Sequence, residues 1–111
     1  MREKELEIKK EKIVKEAKRM IGKVIRGTYI EWYQECSKQG CRCHKDKRYW
    51  HGPFRRISYS KGERVYHIYI RKDKKEQAKM YTDNYKKLWK AIEKISQINI
   101  QLLKIKNGRK R

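Results

Sequence analysis

The sequence predicts an α+β fold: an N-terminal helix, a three-stranded antiparallel sheet carrying a zinc knuckle, and a long C-terminal helix. Three observations predict it. Apolar residues recur at three- and four-residue spacing near both ends of the chain, the period of a helix with one packed stripe. The stretch between is rich in β-branched and aromatic residues, punctuated by Gly and Pro, which suits short strands. All three cysteines fall within one eight-residue run, Cys36 to Cys43, at the end of the first of those strands. At 111 residues the chain is expected to form one domain. Its parts are a basic helix over 1–22, a knuckle-bearing β region over 23–72, a long helix over 73–106 and a basic tail over 107–111.

The first helix is read from Leu6, Ile13, Ala17, Met20 and Ile21, with Glu and Lys filling the other faces. Glu5 with Lys9 and Glu11 with Lys15 are i,i+4 pairs in the favourable order, and Gly22 is a candidate C-cap. Residues 23–35 then read as a strand running into Cys36, with Gly27 marking a bulge or a close backbone approach. Pro53 opens a second strand, Phe54 to Ser60. Lys61-Gly62-Glu63 reads as a hairpin turn and Arg64 to Arg71 as a third strand, in which Tyr66, Ile68 and Ile70 share one face. Asp73, with Glu76 three positions on, reads as the cap of the last helix. Tyr81, Tyr85, Leu88, Ile92, Ile95 and Leu102 mark its stripe, with Asn99 inside it. Asn107-Gly108 ends it, before a frayed tail, Arg109 to Arg111. The stripe predicts packing on the first helix or pairing with a second copy, a homodimer for its C-terminal half.

Cys36, Cys41 and Cys43 with one histidine make a Cys3His set suited to tetrahedral zinc, and a closed four-ligand site is structural. Gly40 can take the positive φ that the turn before Cys41 needs. His51 is preferred as the fourth ligand over His44, which adjoins Cys43, and over His67, which lies in mid-strand. The hydrophobic share is 37% against 41% charged, so the core is thin and a metal staple would stabilise it.

Charge is the strongest global property. Thirty-three basic against 13 acidic residues give a net charge of +20, which calls for an anionic partner. Nucleic acid fits, DNA ahead of RNA. Nine of the twelve aromatic residues lie in the middle segment, mixed with Arg42, Lys45, Lys47, Arg48, Arg55, Arg56, Lys61, Arg64, Arg71 and Lys72. Cations among rings are the chemistry expected where phosphates and bases are both contacted. No apolar run suits a membrane span and the N-terminus is highly charged, so a cytoplasmic protein with reduced thiols is expected, with no membrane partner. No nucleophile elbow, phosphate-binding glycine loop or H-E-x-x-H is present, and the acidic residues of the middle segment are scattered. Neither an enzyme nor a small-molecule substrate is expected. An RNA-binding or ribosome-associated protein is the first alternative, and a protein-interaction module such as an inhibitor or assembly factor the second.

Arg26-Gly27-Thr28, Cys36-x4-Cys41-Arg42-Cys43, His51-Gly52-Pro53-Phe54 and Gln97 to Leu103 resemble a family of small basic archaeal and bacterial proteins of unknown function. Its members carry an R-G-S/T start, a C-x4-C-x-C core, an H-G-P-Y step and a terminal helix ending near I-N-x-x-L-L. The resemblance spans residues 23–103 and leaves the basic N-terminal helix outside it. It implies that Cys36, Cys41, Cys43 and His51 act as one set. It also implies an origin in mobile or viral-type gene neighbourhoods.

Overall fold

In a computed structural model, residues 2–107 are described, in the order α1 (Glu3–Met20), β1 (Thr28–Gln34), β2 (His51–Lys61), β3 (Arg64–Tyr69) and α2 (Lys75–Asn107). This is the expected α+β architecture, and the expected basic tail beyond Asn107 lies outside the described residues. The residues group into two compact units: Arg26–Thr82 forms one, and the stretches up to Ile25 and from Asp83 form the other.

The Arg26–Thr82 unit is built on an antiparallel sheet of order β1-β2-β3. Tyr29 pairs with Ile57 and Ile57 with Ile68, while Trp32 pairs with Phe54 and Arg56 with Tyr69. Partners across a ladder share a face, so Tyr29, Glu31, Arg55, Ile57 and Ile68 share one face and Trp32, Phe54, Arg56 and Tyr69 the other. The first turns of α2 cover the Ile57 face. Lys75 Nζ lies 3.3 Å from the Glu31 carboxylate, and the Lys79 ammonium lies over the Tyr29 ring. Ile57 is completely buried, and Ala78 and Thr82 are buried with it. Tyr29 donates its hydroxyl to Glu31 at 2.7 Å. Burial and that carboxylate push the Tyr29 hydroxyl up to about 12, while the same hydrogen bond and Lys75 hold Glu31 below its usual range.

Gly27 is a close approach and not a bulge: a Cβ there would sit 2.8 Å from the Ser58 carbonyl oxygen. The ladder irregularity falls between Trp32 and Gln34. The strand also starts at Thr28, later than its β-branched composition predicts, because Lys23 closes the turn after α1 with a bond from its N–H to the Met20 carbonyl. Asp73 does not cap α2. It sits in a 3-10 turn, Lys72–Lys74, ahead of the helix, and its carboxylate accepts from Arg71 at 3.4 Å.

In the second unit α1 packs on α2 through Leu6, Ile98 and Leu102, with Ile13 against them. At the start of α1 the Glu5 carboxylate accepts the Arg2 N–H. Of the expected stripe of α2, Tyr81, Tyr85, Leu88 and Ile95 are half-buried and Leu102 is buried. Ala91, Ile98 and Leu102 are buried, whereas Ile92 is exposed. Asn99 accepts a hydrogen bond from Lys10 Nζ at 3.1 Å, so it serves the contact between α1 and α2. Trp89, Ile92, Ile100 and Leu103 remain exposed. No helix among the described residues is long and apolar enough to cross a membrane.

Candidate metal centre and the basic surface around it

The ladder between β1 and β2 ends at the pair Gln34 and His51, and the chain between them folds back as the knuckle. Two residues beyond β1 comes Cys36. Gly40, at φ +81°, makes the turn that returns the chain to Cys41, as its place in the sequence predicts. Arg42–His44 then form one 3-10 turn and Lys47–Tyr49 another. His51 opens β2. Its neighbour Gly52, at φ +143°, lies so close to β1 that a Cβ would meet the Trp32 carbonyl oxygen and the Tyr33 ring, each at 2.8 Å. A side chain at this position would force β1 and the start of β2 apart.

Cys36, Cys41, Cys43 and His51 thus bring three sulfurs and one ring nitrogen within 4.8 Å of one another, a set that could hold a metal ion. Cys43 Sγ lies 3.7 Å from Cys36 Sγ and accepts the Cys36 N–H at 3.3 Å. Cys41 Sγ lies 3.3 Å from His51 Nε2. The other two histidines are occupied elsewhere. His44 is held by the Lys38 carbonyl at 3.0 Å and by Glu35, and His67 pairs with the Ser58 hydroxyl at 2.7 Å. The environment splits the thiols. A hydrogen bond from the Cys43 backbone, then His51, pulls Cys41 down to about 6. Burial pushes Cys43 up to about 11, a bias that a bound cation would reverse, because a coordinating thiol is deprotonated.

The cations singled out in the sequence divide by what holds them. The Arg42 guanidinium lies 4.4 Å over the Tyr49 ring and Lys47 over Trp50 at 5.6 Å. Arg48 is bound to Asp46: the carboxylate accepts its backbone N–H at 3.0 Å, Nε at 3.2 Å and a terminal nitrogen at 3.0 Å. That arrangement holds Asp46 below its usual range. Arg56 lies over Trp32 at 5.1 Å, on the opposite sheet face from Arg55. Lys61 and Arg64 pair across the hairpin and, like Lys45 and Lys72, are exposed. Arg71 is exposed beside Asp73.

Arg55 does not belong with them. It is only 7% exposed, and it donates Nε to the Ile70 carbonyl at 3.0 Å and a terminal nitrogen to the Pro53 carbonyl at 3.1 Å. Its guanidinium ties Pro53, near the start of β2, to the chain leaving β3, and little of it is open to solvent. The rings are likewise committed. Tyr59 stacks on Tyr66, Trp32 packs tilted against Phe54, and Tyr49, Trp50 and Trp32 each carry a cation. The Asp46–Arg48 turn escaped the sequence reading, although a D-x-R turn signal was there to be seen.

A sequence profile described as a domain of unknown function, DUF6788, matches residues 3–80. Comparison with curated proteins and with solved structures returns no match. The matched span begins at α1, so the basic N-terminal helix is part of the family pattern and not an addition to it, and the span ends within the first turns of α2. Since it holds α1, the whole sheet and all four members of the Cys/His cluster, the chain belongs to the DUF6788 family.

Proposed function

We propose that this protein binds nucleic acid, duplex DNA ahead of RNA, through phosphate contacts made by a knuckle and hairpin that a structural zinc ion holds in shape. The observation that carries the reading is the set of exposed cations around the knuckle and hairpin, Arg42, Lys45, Lys47, Lys61, Arg64 and Lys72, which have no carboxylate partner among the described residues. With a net charge of +20 they gain most from a polyanion. Commitment of the rings to cations and to each other favours phosphate and base-edge contacts over unstacked bases, hence a duplex over a single strand.

Zinc fits the donor set. A tetrahedron with Zn–S bonds of about 2.3 Å has edges of roughly 3.8 Å, close to the 3.7 Å between Cys36 and Cys43. The four side chains would fill the coordination sphere, and the ion would supply cross-linking, not chemistry.

The test is one competition titration of duplex DNA, single-stranded DNA and structured RNA over a range of salt. The logarithm of duplex affinity is expected to fall linearly with log salt, with a slope of about −0.9 per phosphate neutralised and about five or more such contacts. Weak duplex binding at low salt refutes the reading. Tighter binding to structured RNA moves it to the RNA alternative.

A further inference from the structure

Two arginines flank the Tyr49 ring, and they are not equivalent. Arg48 lies 5.7 Å from the ring centroid, but its Nε and a terminal nitrogen are both spent on Asp46. Arg42 lies closer, 4.4 Å from the centroid, and its side chain has no hydrogen-bond acceptor or ion-pair partner among the described residues. Arg42 also sits between two members of the metal cluster, Cys41 and Cys43, in a 3-10 turn. Its backbone is therefore fixed on both sides. A guanidinium held against a ring keeps its in-plane N–H groups pointing outward, and a planar fork of that kind matches two adjacent acceptors.

We propose that Arg42 is the principal ligand-contacting residue of the knuckle. It reads a paired acceptor edge, either the O6/N7 edge of a guanine or two oxygens of one phosphate, with Tyr49 as the positioning residue that fixes its plane. Arg48 holds the turn and does not read. This inference rests on the nucleic-acid reading above.

The experiment compares the wild type with R42K, R48K, Y49F and Y49L on a random-sequence duplex pool, sequencing the bound fraction, and then measures salt slopes on the best duplex. R42K keeps the charge and loses the fork. If the edge is a guanine's, wild type enriches guanine at one position. R42K loses that enrichment along with on the order of tenfold or more in affinity, and 7-deazaguanine at that position has the same effect on wild type. If the edge is a phosphate's, no base is enriched, R42K weakens binding to all sequences, and one methylphosphonate linkage reproduces the loss. In either case Y49F behaves as wild type, Y49L resembles R42K, and R48K leaves the readout unchanged. Metal content and melting temperature, measured for each variant, separate loss of reading from loss of fold. Wild-type binding that R42K leaves intact, or that R48K impairs equally, overturns the inference alone. No wild-type binding to any duplex overturns the nucleic-acid reading and this inference with it.

Discussion

Replacing Arg55 by Ala should nearly unfold the sheet unit, while the same change at its neighbour Arg56 should not. Arg55 is buried and makes two hydrogen bonds to backbone carbonyls, at 3.0 and 3.1 Å. A hydrogen bond from a charged donor contributes roughly 1.5–3 kcal/mol, and each buried carbonyl left without a partner keeps its desolvation cost. Two bonds lost together give about 3–6 kcal/mol, a large part of the roughly 5–15 kcal/mol that holds a small domain folded. At about 4 °C or more per kcal/mol, the melting temperature should fall by at least about 12 °C. Arg56 lies over Trp32 at 5.1 Å, a contact of about 0.5–2 kcal/mol, so R56A should lower melting by less than R55A does. It should instead reduce the salt slope of DNA binding by about one. Circular dichroism melts of the two variants decide the matter. An R55A protein that melts within about 3 °C of wild type would refute the structural role assigned to Arg55.

The other expectations are more local. Leu6, 2% exposed, should cost about 2–5 kcal/mol when cut to Ala, whereas I8A, on the exposed side of the same helix at 55%, should shift stability by no more than about 0.5 kcal/mol; similar chemical-denaturation midpoints for the two would contradict the α1–α2 contact. Elemental analysis should find about one zinc per chain, lost in C43S with a lower melting temperature but kept in H44A; metal-free wild-type protein that melts unchanged is the adverse result. Glu31 has a lowered folded pKa, so its contribution is present above about pH 4.5 and is lost as pH falls below that value. Acidification through this range should therefore lower the melting temperature less in E31Q than in wild type, and equal drops would contradict it. Finally, the exposed Trp89, Ile92, Ile100 and Leu103 on α2 are expected to support a homodimer at high concentration that L103E dissolves; a strictly monomeric mass in light scattering would exclude it.

What the sequence made legible was periodicity and clustering. Alternation in β3 placed Tyr66 and Ile68 on one face, as the ladder has them, and the spacing of three cysteines with an H-G-P step located the cluster. Arg55 and Arg56 were indistinguishable, because alternation assigns them to opposite faces without saying which face a helix will cover. That knowledge is non-local: it depends on Lys75 and Lys79 reaching back to β1. The same limit explains Asn99 and the exposure of Ile92 on α2. Several registers of a long helix satisfy a three-to-four spacing, and the contact with Leu6 selects the one centred on Ala91, Ile98 and Leu102. Asp73 looked like a cap from its type and from Glu76 three positions on, but the chain takes a 3-10 turn before the helix begins.

The place of the Cys/His cluster at the closed end of the β1–β2 ladder carries one more consequence. His51 is at once a member of the cluster and the first residue of β2, opposite Gln34. A slide of β2 by one residue would turn every side chain over. It would bring Arg56 under α2 and expose Ile57. An ion gripping Cys36 and His51 together would forbid the slide, since it clamps the two strand ends at fixed phase. The metal then acts less as a rivet than as an index mark, and a chain refolded without it should show doubled backbone resonances along β2, collapsing to one set when zinc is added.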